Sequence, residues 1–131
     1  MTMWTFYDFL EDRGVNPVRQ WLDGLPAKAA AKINTRILFM MAIPVWPEQY
    51  ISSLTGWPEL LELRIVHSGV QYRPLGFYGP ERREFTLVLG AVEKGSLPVR
   101  VLETADANRK LIVATGRNRI CEHQFDKATG A

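Results

Sequence analysis

The fold is decided by residues 60–94, which read LLELRIVHSGVQYRPLGFYGPERREFTLVLGAVEK. At the start of this stretch, in residues 61–65, three apolar residues alternate with a glutamate and an arginine. Apolar residues at every second position are typical of a β-strand that buries one of its two faces. We therefore predict a strand that carries Glu62 and Arg64 together on the face opposite to its apolar side chains.

Two more strands are expected beside the first. Residues 67–69, His-Ser-Gly, predict a tight hairpin turn into the second strand. Pro74 lies inside that strand and cannot donate a ladder hydrogen bond, so we expect a bulge or an edge position there. Residues 85–92 have few polar side chains on either face, which is typical of a strand in the middle of a sheet that is covered on both sides.

The segments on either side predict a further strand and several helices. Aromatic residues are dense in residues 3–10 and favour a strand. Asn16 and Pro17 suit the start of a short helix, because asparagine caps an orphan N–H group and proline has none to leave unpaired. Residues 27–43 carry apolar side chains at helical spacing. The opposite side of that helix carries a basic stripe of Lys28, Lys32 and Arg36.

The positions of proline and serine predict the structure of two later segments. Residues 44–58 contain three prolines, so we expect a connecting loop with at most a helical turn at residues 50–54. Residues 98–114 predict a C-terminal helix that Ser96 caps.

Length and composition limit the possible classes of protein. The 131 residues suit one domain, which we place in residues 1–116 and follow with a loose polar tail in residues 117–131. The formal net charge of +2 permits nucleic-acid binding without requiring it. Cys121 is the only cysteine, so no internal disulfide forms, which fits a cytoplasmic location. We expect no membrane association, because there is no signal peptide and no apolar run near the ~20 residues that span a bilayer.

Several common catalytic signatures are absent from the sequence. It contains no glycine-rich phosphate loop, no dinucleotide-binding fingerprint and no serine nucleophile elbow. His67 and His123 are the only histidines and lack metal-ligand spacing with cysteine. We therefore expect neither a cofactor nor a metal.

The sequence instead places positive charge beside aromatic rings. Arg64 and Arg73 fall on adjacent predicted strands, so their guanidinium groups could approach one phosphate. Lys94 ends the neighbouring strand, and tyrosine rings offer planes on which unpaired RNA bases stack. The candidate RNA-binding residues are Lys28, Lys32, Arg36, Tyr72, Tyr78, Arg82 and Arg83.

Such a cluster could support cleavage of RNA. Its positive charges would stabilise the extra negative charge that phosphorus carries in the pentavalent transition state. The 2′-hydroxyl of the RNA would attack, so no protein nucleophile is required. The candidates for general acid and base are Lys94, Glu93 and His67.

Each of these residues also has an interpretation without a function. Arg64 could simply pair with Glu62 or Glu93 on the sheet surface. His67 suits a solvated turn, and the two tyrosines suit ordinary packing. The basic stripe of residues 27–43 suits a solvated helix face.

Five short motifs occur along the chain in a characteristic order. They are Asn16-Pro17-Val18-x-x-Trp21-Leu22-x-x-Leu25, Leu54-x-Gly56, Leu61-Glu62-Leu63-Arg64, Tyr72-Arg73 and Gly90-x-x-Glu93-Lys94. This order resembles the phage-derived branch of the RelE/ParE toxin superfamily, close to the HigB-like toxins. The similarity covers residues 3–112.

The resemblance implies an α+β fold and a toxin. Two N-terminal helices would form a hairpin against a curved antiparallel sheet, and a C-terminal helix would follow. Toxins of this kind belong to type II toxin–antitoxin pairs, and HigB-like members cut mRNA in the ribosomal A site without a metal. The implied partners are therefore a helix-turn-helix antitoxin, the ribosome and mRNA. By analogy, Arg64 and Arg73 would bind and polarise the scissile phosphate, and Lys94 would assist proton transfer or bind the RNA backbone.

The sequence departs from the family pattern at three points. Residues 92–95, Val-Glu-Lys-Gly, stand where many relatives carry paired lysines after a phenylalanine, Pro74 replaces an apolar residue, and no tyrosine follows Tyr78. Two alternatives to RNA cleavage therefore stay open. One is a ParE-like toxin that acts on DNA gyrase, and the other is an inactive prophage-derived binding protein.

Overall fold

In the computed structural model, which describes residues 2–125, the protein consists of one mixed β-sheet with helices on both faces. Its strands are β1 (Thr5–Phe9), β2 (Ile51–Leu54), β3 (Trp57–Leu63), β4 (Ile65–His67), β5 (Val70–Tyr78), β6 (Glu84–Val92) and β7 (Ile120–Glu122). Its helices are α1 (Pro17–Asp23), α2 (Ala27–Met41) and α3 (Val99–Thr115), with short 3-10 turns at Asp12–Gly14 and Gly116–Arg119. The predicted α+β class is thus confirmed.

The strands follow the spatial order β2-β3-β5-β6-β1-β7, and β4 continues the line of β3 along β5. The predicted trio of neighbouring central strands is therefore confirmed. The neighbouring pairs are antiparallel except for one, because β1 runs parallel to β6. A wholly antiparallel sheet was therefore the wrong expectation.

Strand β6 lies in the interior of the sheet and is covered on both faces, as its composition predicts. On the first face, α1 and α2 pack against a core that includes Phe6, Leu63 and Phe85. On the second face, α3 packs against a separate core that includes Leu75 and Val88. The two cores share no buried residue, so the sheet divides the apolar interior into two layers.

The hairpin between β4 and β5 has the two-residue turn that the sequence predicts. Ser68 and Gly69 adopt left-handed φ angles of 50° and 76°, which are typical of a type I′ turn. Pro74 lies further along β5, in the interior of the sheet. The strand opposite it is interrupted at Arg64, which separates β3 from β4, and the β5–β6 register shifts next to it, between Leu75 and Gly76.

The region from Pro44 to Pro58 is not a simple loop, and the helical turn expected at residues 50–54 is wrong. Residues 51–54 form β2, which pairs with β3 through a hairpin. The register of this pair shifts between Ser53 and Leu54, and Pro58 lies at the irregularity, where a missing N–H group costs little. The pairing with β3, and not local propensity, makes β2 a strand.

The predicted cap of the C-terminal helix is also wrong. Helix α3 begins at Val99 with Pro98 at the N-cap position and no side-chain capping bond. The carbonyl of Pro98 instead accepts the N–H groups of Val101 and Leu102. Ser96 lies too far before the first turn to act as the cap.

The segment from residue 117 was predicted as a loose tail, but its described part belongs to the folded core. Strand β7 pairs with β1, so that Phe9 lies opposite Ile120. The backbone N–H of His123 then donates to the carbonyl of Phe6 at 2.9 Å. A domain boundary at residue 116 would therefore remove an edge strand from the sheet. The rest of the predicted tail, residues 126–131, lies outside the described part of the chain.

A buried polar network holds this C-terminal segment in place. His123 is buried, and its Nδ1 lies 2.8 Å from Oδ1 of Asp8 while its Nε2 lies 2.9 Å from Oδ1 of Asn34. The amide of Asn16 donates to the other oxygen of Asp8 at 2.9 Å, and its own Oδ1 caps α1. The network therefore joins β1, both N-terminal helices and the residues after β7.

Replacement of Gly90 by alanine should destabilise the protein. A Cβ atom there would lie only 2.0 to 2.5 Å from ring carbons of Trp21, so the indole of α1 must move. We expect the free energy of unfolding to fall by about 1–3 kcal/mol, the usual cost of overpacking. Urea denaturation measures the change. Gly24→Ala is the matched control, because the nearest atom to its Cβ lies at 3.5 Å, and equal stability of the two variants would contradict the packing argument.

Replacement of His123 by alanine should destabilise the protein more strongly. The change leaves the carboxylate of Asp8, which is 1% exposed, without its imidazole partner. Removing the partner of a buried polar group costs about 1–3 kcal/mol, and more when the group that remains is charged. Thermal unfolding measures the loss against Gln124→Ala, an exposed neighbour. If both variants unfold together with the wild type, the segment after β7 contributes nothing to stability.

Candidate functional site

An open cleft lies on the second face of the sheet, beside the part that α3 covers. Leu60 and Leu75 belong to the core beneath α3. Because side chains alternate along a strand, the next positions on that face carry Glu62 and Arg73. The residues that line the cleft are Glu62, Arg64, Ile65, Val66, Gln71, Tyr72, Arg73 and Gly95.

The two predicted catalytic arginines come together in this cleft. Glu62 lies opposite Leu75 and Ile65 lies opposite Tyr72, so the shared register places Arg64 opposite Arg73. Both guanidinium groups contact one acidic side chain, which lies between them. The expectation that adjoining strands bring these arginines side by side is therefore confirmed.

The acid between the arginines is Glu62, whose side chain is only 3% exposed. One carboxylate oxygen, Oε2, accepts from Arg73 Nε at 2.6 Å and lies 2.5 Å from Nη2. The other oxygen, Oε1, accepts from Arg64 Nε at 3.3 Å and from the Ser52 hydroxyl at 3.4 Å. The simpler interpretation that Arg64 pairs with Glu62 is thus also confirmed.

The two arginines differ in how much of each group stays open to a ligand. The side chain of Arg73 is 12% exposed, and its Nη1 donates to the carbonyl of Gly95. The side chain of Arg64 is 57% exposed, and within residues 2–125 its two terminal nitrogens have no protein acceptor. The three charges leave one positive charge uncompensated in the cleft. Arg64 is therefore the group through which an anion would be bound.

The candidates for proton transfer lie around the cleft and not inside it. Lys94 is exposed in the loop after β6, next to Gly95 in the cleft wall. His67 ends β4 at the hairpin turn, and Glu93 directly follows β6. Neither His67 nor Glu93 belongs to the cleft wall as the described residues form it. The interpretation of His67 as a turn residue agrees with this position.

Tyr72 is 5% exposed, whereas Tyr78 is 51% exposed although its ring packs on neighbouring aromatic rings. Tyr72 is buried in the core of the first face. Tyr78 packs on Trp46 at 5.8 Å between ring centroids and on Phe85 at 5.4 Å, and burial raises its pKa. Because Tyr72 is buried and Tyr78 does not line the cleft, neither tyrosine offers an open ring plane for base stacking there.

Arg82 and Arg83 are exposed, but they lie far from Arg64 and Arg73. They occupy the loop between β5 and β6, at the end of β5 opposite to Arg73. Tyr78 alone is five residues beyond Arg73, which corresponds to about 17 Å along an extended strand. The predicted RNA-binding residues therefore do not form one surface.

The basic stripe of α2 contacts the edge of β4. Lys32 Nζ donates to the carbonyl of Val66, and Arg36 Nη1 donates to the carbonyl of Arg64 at 2.8 Å. Four helical residues rise about 6 Å and two strand residues about 6.6 Å, so the two spacings match. The guanidinium of Arg36 also lies 3.8 Å from the centre of the Tyr50 ring. Lys28 and Lys32 are both exposed, as the simpler interpretation expects, whereas Arg36 is half-buried.

A second polar cluster lies at the other end of the sheet. Arg117 contacts both oxygens of Glu84 at 2.9 and 3.0 Å and the Tyr7 hydroxyl at 2.9 Å. The hydrogen bond from Arg117 is the main cause that lowers the pKa of Glu84, and burial is the main cause that raises the pKa of Tyr7. Burial also raises the pKa of the Cys121 thiol, which makes it a poor nucleophile.

Sequence reasoning underestimated two members of the cleft. It placed Glu62 beside Arg64 only as an ion-pair partner, although the alternation of residues 61–65 already put both side chains on one face. The carbonyl of Gly95 could not have been found, because a backbone acceptor in a loop leaves no signal in the residue type.

Comparisons with known proteins returned no match: no family model, no curated protein and no solved structure is similar to this chain. Among residues 2–125, no cluster of histidine, cysteine and acidic side chains could hold a metal ion. The helices in that range are too short or too polar to cross a bilayer.

Replacement of Arg36 by alanine should reduce stability, because it removes a hydrogen bond to β4 and the contact with Tyr50. We expect a loss of about 1–2 kcal/mol in the free energy of unfolding. Lys28→Ala removes the same charge from the exposed part of the stripe and should change stability by less than about 0.5 kcal/mol. Chemical denaturation compares the two variants. If Arg36→Ala is as stable as the wild type, the whole basic stripe is better interpreted as a solvated helix face.

Proposed function

We propose that this protein is the toxin of a type II toxin–antitoxin system, of the HigB-like branch of the RelE/ParE superfamily, and that it cleaves mRNA on the ribosome. One observation carries the proposal: Arg64 and Arg73 converge in an open cleft that retains a positive charge. Two adjacent guanidinium groups match the oxygens of a phosphodiester. The order of the sequence motifs supplies the link to toxins.

The proposed reaction is transphosphorylation within the RNA. The 2′-oxygen bonds to the adjacent phosphorus, the bond from phosphorus to the 5′-oxygen of the next nucleotide breaks, and a 2′,3′-cyclic phosphate remains. The proton of the 2′-hydroxyl leaves to a base, and the departing 5′-oxygen gains a proton. Arg64 and Arg73 stabilise the charge that develops on the non-bridging oxygens.

The groups predicted to transfer protons lie around the cleft and not inside it. Lys94 lies next to the cleft wall and is the best placed of the predicted groups to bind the RNA backbone or to protonate the leaving oxygen. His67 and Glu93 lie outside the wall, so they would act only if the ribosome or the RNA brings them near. Lys94 is therefore our first choice.

A function without cleavage is the second candidate. Two observations favour it: the carboxylate of Glu62 already occupies Arg73, and the acid–base candidates stand outside the cleft. Such a protein would bind its target without chemistry. It would then be a ParE-like toxin of DNA gyrase or a prophage-derived binding protein.

The proposed function also implies binding partners and a cellular location. Its partners would be a cognate helix-turn-helix antitoxin, the ribosome and mRNA, all in the cytoplasm. The antitoxin would neutralise the toxin most directly by covering the cleft around Arg64.

Arg64→Ala is the cleanest test of this function. The side chain is largely exposed, and an exposed ion pair contributes little to the free energy of unfolding, so stability should change by less than about 1 kcal/mol. We expect induction of the wild type to arrest bacterial growth and Arg64→Ala to relieve the arrest. Affinity for single-stranded RNA should fall about 10-fold, and the salt dependence of binding should decrease by about 0.7 in slope, because one phosphate contact is lost.

Lys110→Ala is the matched control, since it removes one positive charge from the outer side of α3. Primer extension on cellular mRNA identifies cleavage sites. Equal toxicity of Arg64→Ala and the wild type would refute the proposed site. Gyrase-linked DNA breaks with intact mRNA would favour the second candidate.

A further inference from the structure

We propose that Glu62 is a positioning residue: it holds Arg73 in place and orients the terminal nitrogens of Arg64 toward an RNA phosphate. The inference rests on the proposed function of the cleft and adds to it a residue that the resemblance does not assign. Glu62 would touch neither the RNA nor the reacting atoms, because its side chain is 3% exposed.

The carboxylate divides its two oxygens between the two arginines. Oε2 accepts from Nε of Arg73 and contacts Nη2, while Oε1 accepts from Nε of Arg64. An arginine that is held through Nε cannot rotate about its last side-chain bonds without losing that hydrogen bond. The terminal nitrogens of Arg64 are thereby directed away from Glu62 and toward the open cleft.

The charge of Glu62 is also what permits the two arginines to lie side by side. Like charges directly opposite on neighbouring strands destabilise a sheet. A buried carboxylate between Arg64 and Arg73 converts this repulsion into two ion pairs. The carboxylate is 3% exposed and its oxygens already accept from Arg73, Arg64 and Ser52, so neither oxygen can approach a 2′-hydroxyl, and we assign Glu62 to orientation and not to proton transfer.

If Glu62 acts by orienting the arginines, its replacement should slow RNA cleavage without weakening RNA binding. Glu62→Gln would add a net positive charge to the cleft, so RNA binding should be at least as tight as in the wild type. The slope of log affinity against log salt should become steeper by about 0.7. Cleavage of mRNA on ribosomes should nevertheless fall at least 10-fold, because small misplacements of catalytic groups cost this much or more. A merely structural defect would weaken binding and cleavage together.

Glu59→Gln is the matched control. Glu59 lies three residues earlier on β3, is exposed, and does not line the cleft. The control changes the net charge of the protein equally without changing the cleft. It should therefore keep wild-type cleavage.

Glu62→Asp provides a second measurement if the glutamine variant does not fold. Aspartate retains the negative charge, but it is one methylene shorter and cannot reach both arginines. We expect an unchanged salt slope together with at least 10-fold slower cleavage.

The experiment measures ribosomal mRNA cleavage by primer extension and the binding of a short single-stranded RNA over a range of salt. Slower cleavage with retained binding in the Glu62 variants would support the proposal. Cleavage within twofold of the wild type would overturn it while the proposed function stands. A wild type that neither binds nor cleaves RNA would overturn the proposed function, and the role of Glu62 with it.

Discussion

The whole arrangement depends on a central strand that is apolar on both faces. Because β6 cannot expose either face to water, the chain has to cover the sheet twice. Helices α1 and α2 provide one layer and α3 provides the other. No residue of α3 lines the cleft beside Glu62 and Arg73, so this part of the second face has no helical cover among residues 2–125. The cleft is a consequence of this unequal cover.

The central part of the fold could be predicted because its signals are local. Alternation in residues 61–65, the turn residues Ser68 and Gly69, and the apolar run in β6 each fix their element without help from distant residues. The edge strands β2 and β7 could not be predicted in the same way. They are only four and three residues long, too short to show a pattern, and they are strands because β3 and β1 offer them a partner.

The candidate site could likewise be predicted only in part. Two alternating strands joined by a tight turn were enough to bring Arg64 and Arg73 together. The contacts of their guanidinium groups depend on which side chains are buried beside them, and alternation does not report burial. Tyr78, Arg82 and Arg83 were grouped with the arginines because they are near in sequence. A strand of nine residues is long enough to carry them to the opposite end of the sheet.

The contacts of α2 with β4 have a consequence for association with other proteins. A strand at the border of a sheet normally offers its carbonyls as a template on which a foreign segment, or another copy, can add. Here Lys32 and Arg36 already occupy the outward carbonyls of residues 66 and 64. Growth of the sheet from this border would require both bonds to break, so the protein is protected there against fibrillar self-assembly.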